Sequence, residues 1–181
     1  NYTSTSYQTC HKPLVVADVT DNPGSGHYGD ATHLLRGLLS ANLTNAVFYA
    51  IYDAEAVKQG ISIGVGNKGT IRLGGKHDIN AGGEPIDVYG EVVSLTNGKF
   101  PAYGPMGNGV WQNYGPSMLF HSNGVDIAVI SNNGQLLDLA QLISLGCDPH
   151  FKSIIVVKSN HHFRASLTAL SREIATVDTL E

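Results

Sequence analysis

The first strong apolar run is Pro13-Leu14-Val15-Val16-Ala17-Asp18-Val19, short, continuous and rich in β-branched side chains. Such a run predicts a strand buried on both faces, where polar alternation is not needed. A glycine-rich turn follows from Asp21 to Asp30. Over Ala31 to Leu43, leucines at 34, 35, 38 and 39 then recur at helical spacing. Asp30 stands where an N-cap carboxylate would accept from the free amides of the first turn. Asn45 to Tyr52 reads as a second strand and Asp53 to Lys58 as a short helix with an acidic start. Strand and helix in alternation predict a parallel α/β core.

From Ile61 to about Gly124 the pattern changes. Glycines recur between short alternating segments, Thr70–Leu73, Ile86–Val92 and Ser117–Phe120, which predicts antiparallel strands and hairpins. Asn123-Gly124 separates Ser117–Phe120 from the apolar run Val125–Ile130, and both residues tolerate the positive φ that a tight hairpin needs. The α/β pattern then returns, with a helix expected over Leu136–Leu145, a buried strand over Ser153–Lys158, a helix over Phe163–Ile174 and a last short strand over Ala175–Val177. The expected fold class is α/β, a mixed sheet with strand-loop-helix units at both ends of the chain and an antiparallel, hairpin-rich middle.

Composition narrows the choice of function. The 181 residues are 42% hydrophobic and 14% charged, enough apolar material for a sizeable core, and the formal net charge is −4. Without clustered Lys and Arg there is nothing to attract a nucleic-acid backbone or an anionic membrane, and the apolar runs fall far short of the ~20 residues that span a bilayer. Cys10 and Cys147 are isolated thiols without CxxC spacing, expected to be reduced, and no secretory signal is visible, so the expected location is cytoplasmic. Residues 1–12 start without Met and read as a linker or disordered lead. A domain over 13–181, part of a longer polypeptide, is expected to follow.

Two polar turns are placed to carry chemistry. The segment containing Asp21, Asn22, Gly24, Ser25, Gly26 and Asp30 follows a strand and precedes a helix, which puts it at the carboxyl edge of a sheet, where open α/β folds bind ligands. A carboxylate or phosphate at the helix start is one reading, and a plain tight connection is the other. The second turn, Lys158-Ser159-Asn160-His161-His162-Phe163-Arg164, also leaves a buried strand. Lys158, Ser159, His162 and Arg164 are candidate substrate-binding groups there, and the alternative is Ser159 as an N-cap with Lys158 reaching to water. If the two strands are neighbours, both turns open on one edge. His27, Asp30 and His33 stand three apart and His161-His162 are adjacent, but neither set forces convergence on one metal ion. No GxSxG elbow is present, so no nucleophile is expected.

The order Leu14–Gly26 with Gly29-Asp30-Ala31-Thr32, then Arg72-Leu73-Gly74-Gly75-Lys76, then Val129-Ile130-Ser131, then Ile155–Ser159 with His162-Phe163-Arg164-Ala165 resembles the carboxy-terminal domain of the microcystinase C (MlrC)-like metallopeptidase family. The resemblance covers Pro13 to about Val177. It implies part of a zinc-dependent hydrolase acting on small or linear peptides, with the zinc ligands in an amino-terminal metal-binding domain that maps onto no residue here. The two turns would then face an interdomain active site, binding substrate or stabilising an oxyanion, and this part alone would be inactive. The implied partners are that amino-terminal domain and a small peptide substrate, and a homo-oligomer stays open. Two other classes compete: a small module binding a carboxylate ligand, and a structural or oligomerisation domain without catalysis. Phe100 and Trp111 are candidates for a domain contact or for the core.

Overall fold

The computed structural model describes residues 12–178. Of the expected lead only Lys12 falls within that range, so Cys10 and His11 lie outside the described residues. An eight-stranded sheet organises the chain, in the order β10-β1-β9-β2-β8-β7-β4-β3. The strands are β1 (Leu14–Asp18), β2 (Ala46–Tyr52), β3 (Lys68–Leu73), β4 (Ile86–Thr96), β7 (Ser117–Ser122), β8 (Val125–Ile130), β9 (Ile154–Lys158) and β10 (Glu173–Val177). A separate hairpin pairs β5 (Lys99–Pro101) with β6 (Trp111–Asn113). The five strands β10, β1, β9, β2 and β8 run parallel, and β7, β4 and β3 extend the sheet in antiparallel fashion.

The parallel half forms because its strands are apolar on both faces. In β2 every residue from Ala46 to Ile51 is buried. One face carries Phe48, Ile51, Phe120, Ile127 and Val129 beneath Leu35 of α1 (His33–Ser40) and Val57 of α2 (Ala54–Ile63), together with Ile71, Leu73 and Val88 from the β3–β4 arm. The other carries Val15, Val47, Tyr49, Ala128 and Val157 beneath Leu142 of α4 (Ala140–Ile143) and Leu167 of α5 (Arg164–Leu167), with Phe163 just before α5. At the β7–β8 hairpin, Asn123 and Gly124 have φ of 46° and 75°, as the sequence predicts for the turn.

Several expectations shift. Asp30 does not cap α1. The helix begins three residues beyond it, with Thr32 at the N-cap position and no side-chain cap. Asp53 does cap α2, accepting from the Ala56 amide at 2.9 Å. The predicted helices over 136–145 and 163–174 contract to four residues each, and Ile174 belongs to β10 instead. In the first segment a side chain takes over the neighbouring backbone, as Gln141 Oε1 accepts from the amides of Leu137 and Asp138; in the second, parallel pairing with β1 draws residues 173–177 into the sheet. Phe100 is core and Trp111 is 70% exposed.

Candidate functional site at the carboxyl edge of the sheet

The turns after β1 and β9 leave adjacent parallel strands, and the register sets Asp18 directly beside Lys158. Lys158 is 2% exposed and does not snorkel to water. Its Nζ donates to Asp18 Oδ2 at 3.2 Å, lies 3.1 Å from Asp21 Oδ2, and sits 5.6 Å from the centre of the Phe48 ring. The ammonium therefore ties the first turn to the β9 strand. Asp21 also accepts from the Gly29 amide at 2.8 Å and the Ala31 amide at 2.7 Å, closing the ten-residue turn on itself. Burial by itself would raise the Asp21 carboxyl, but Lys158 and these amides outweigh it and hold the group below its ordinary value.

Within the turn, Pro23–Ser25 form a short 3-10 helix capped by Asn22, whose Oδ1 accepts from the Gly24 amide at 2.9 Å. The amides of Ser25 and His27 donate to the Asn22 carbonyl, and that of Gly26 donates to the Pro23 carbonyl. These four amides are satisfied within the turn. The turn presents side chains and a close-approaching backbone. Gly24, Ser25 and Gly26 are exposed, whereas Asp21, Asn22 and Asp30 are buried. A Cβ at Gly24 would run into the Gln135 side-chain amide, so glycine is what lets the turn close on Gln135.

Gln135 joins the two turns. Its Oε1 accepts from Ser159 Oγ at 2.7 Å, and its Nε2 meets His162 Nδ1 at 2.8 Å. Ser159 is thus a buried partner of Gln135 rather than a helix cap. Beside this junction Pro23, Gly24, Tyr114, Asn133, Gly134, Gln135 and Leu137 line an opening of about 220 Å³. His162 and Arg164 are exposed, and the Arg164 guanidinium lies over the Phe163 ring at 5.3 Å. The buried Asn160 Oδ1 has no hydrogen-bond partner among the described residues.

On the opposite flank of the first turn stands a second cluster that the sequence did not flag. The β3–β4 connection returns to this edge: the Gly74 amide donates to Asp53 Oδ2 at 2.9 Å, and the amides of Lys76 and His77 donate to Asp30 Oδ2 at 2.8 and 3.1 Å. Asp30 is therefore a clamp on residues 76–77. Lys76 Nζ lies 3.0 Å from both Asp53 and Glu55. His77 Nδ1 lies 2.9 Å from Asp30 Oδ2, and its ring is stacked with Tyr28 at 5.0 Å and with Tyr52 at 5.3 Å. The available hint was the polar pair Lys76-His77 after two consecutive glycines, but its partners lie 23 and 47 residues away.

The structure thus gathers Asp21, Asn22, Gly24, Lys158, Ser159 and His162 into one contiguous region, with Asp30 on its far flank. It does not gather a metal site. Among the described residues no three His, Cys, Asp or Glu side chains are grouped to hold an ion. The nearest carboxylates, Asp18, Asp21, Asp30 and Asp53, are already engaged by lysine, histidine or backbone amides. The zinc implied by the resemblance does not fit these residues. No helix of the described residues is long and apolar enough to cross a membrane.

The chain is 30% identical over 169 residues to the microcystinase C of a Sphingomonas species, matching 91% of this chain and 32% of that protein. The fold superposes on the crystal structure of a suspected metallopeptidase from Mesorhizobium sp. BNC1 with a TM-score of 0.83 and 22% identity, over 94% of this chain and 34% of the other. The chain thus spans about a third of the length of each. The family model describing the MlrC C-terminus matches residues 16–180, and on that match the chain belongs to the MlrC C-terminal domain family.

Proposed function

We propose that this domain supplies one wall of the active site of a zinc-dependent peptide hydrolase, with the metal ligands and the opposite wall contributed by polypeptide outside this chain. The observation that carries the reading is the junction of the two turns through Gln135, beside an opening of about 220 Å³ at the carboxyl edge of a parallel sheet. The substrate class, small or linear peptides, is that of the microcystinase relative's family. His162 and Arg164 are the exposed polar groups at this junction that can hydrogen-bond a bound peptide, while buried Lys158 and Ser159 fix the turns that present them.

Exposed Tyr103, Val110 and Trp111 around the β5–β6 hairpin, and Ile143 on α4, make this face suited to contact with the rest of a longer polypeptide. In the full-length protein, the double change His162→Ala/Arg164→Ala should lower kcat/KM on linear peptides about 10- to 100-fold, the range expected when one or two charge-assisted hydrogen bonds are removed. This chain alone should not hydrolyse them. Unchanged kcat/KM in the double variant would overturn the reading.

A further inference from the structure

The structure assigns a second functional element to the far flank of the glycine-rich turn: we propose that Asp30 and His77 form an acid–base dyad in which Nε2 of His77 accepts a proton from the hydrolytic water and returns it to the departing amine. The inference rests on the peptide-hydrolase reading and deepens it by naming a catalytic residue.

Four observations converge on His77. Its Nδ1 is turned inward to Asp30, whose side chain is 2% exposed and which also holds the backbone amides of Lys76 and His77. A carboxylate acceptor at Nδ1 fixes the hydrogen on that nitrogen, which leaves the lone pair of the neutral ring on Nε2. Tyr28 and Tyr52 both stack on the His77 ring. Yet the side chain is 39% exposed. Nε2 has no hydrogen-bond partner among the described residues.

The balance of the step is simple. An O–H bond of water breaks and the Nε2–H bond forms as hydroxide adds to the scissile carbonyl. Asp30 stabilises the imidazolium. The Nε2–H bond then breaks and an N–H bond forms on the amine as the C–N bond cleaves, which restores the neutral ring. The charged and titratable groups facing the ring are Asp30, Tyr28 and Tyr52. Lys76 stands next in sequence, held by Asp53 and Glu55, and Asp78 follows. His33 lies against Gly83 at the end of the same connection.

The deciding variant is His77→Asn in the full-length protein, because the asparagine amide keeps a donor in the place of Nδ1 while removing the base. We expect kcat on a linear peptide to fall about 100-fold or more, the usual contribution of a positioned acid–base group. KM should stay within about threefold, the thermal midpoint should be little changed, and the acidic limb of the pH–kcat profile should be lost. A variant that keeps both its kcat and its acidic limb overturns the role of His77 and leaves the peptide-hydrolase reading intact. A large fall in the thermal midpoint, with kcat restored at low temperature, also overturns it, in favour of a structural clamp. A wild-type protein that hydrolyses no peptide overturns the hydrolase reading first, and the dyad with it.

Discussion

Replacing Lys158 by methionine should be among the most damaging single changes to this chain, and the reason is charge accounting rather than packing. Methionine nearly matches the lysine stem in volume and would sit comfortably beside Phe48. What it removes is the cation between two carboxylates whose side chains are 1% and 9% exposed, at 3.2 and 3.1 Å. Asp21 would retain two backbone amides, but the Asp18 side chain would keep only the Thr20 amide at 3.1 Å. Stranding buried charge in this way costs about 3–5 kcal/mol. At roughly 2–4 °C per kcal/mol for a chain of this size, the thermal midpoint should fall by some 6–20 °C.

The pH response gives a second handle on the same residue. In the wild type Asp21 is held below its ordinary value of 3.8, so its contribution is complete above that pH and is lost as pH falls through the lower folded value. Without Lys158, burial pulls the carboxyl upward, so acidification no longer removes a contribution from Asp21, and the stability gap between variant and wild type should narrow as pH falls. Urea unfolding followed by far-ultraviolet circular dichroism, repeated between pH 3 and 7, measures both effects. The triple change Asp18→Asn/Asp21→Asn/Lys158→Met should recover much of the loss, since no buried charge is left unpaired. The reasoning is refuted if Lys158→Met costs under about 1 kcal/mol, or if the triple variant is less stable than the single one.

Two further outcomes follow from local geometry. Burial pushes the Cys147 thiol up to about 12, so at pH 8 iodoacetamide should leave Cys147 unmodified in the folded chain and label it once urea unfolds it; a peptide map separates it from Cys10. Gly75 has φ of +59°, and a Cβ there would strike the Gly83 carbonyl oxygen, so Gly75→Ala should destabilise by about 2 kcal/mol or more, measured by urea unfolding, because the obstructing atoms are backbone and cannot swing aside.

Much of the architecture was legible in the residues because burial on both faces leaves an unambiguous mark. Continuous apolar runs place β1, β2, β8 and β9 within a residue or so, and Asn123-Gly124 places the hairpin between β7 and β8. The same logic puts the turns at Asp21–Asp30 and Lys158–Arg164 after buried strands. What the residues could not convey was which strands are neighbours. Pairing of β1 with β9 joins positions 140 apart in sequence, and that pairing makes Lys158 the buried tie between Asp18 and Asp21. Asp30 changed meaning for the same reason. Read locally it caps a helix, but in the fold its carboxylate faces residues 76 and 77 from a connection that loops back across the α1–α2 face. The helix over 136–145 was overestimated because apolar periodicity does not reveal that Gln141 will claim the amides of Leu137 and Asp138, just before the helix that forms. Sequence alone determined the strands, their burial and the edge on which chemistry can sit, since those follow from local apolar content. Only tertiary structure decided which polar groups are paired and which remain exposed, because hydrogen-bond and ion partners are set by contacts between segments far apart in the chain.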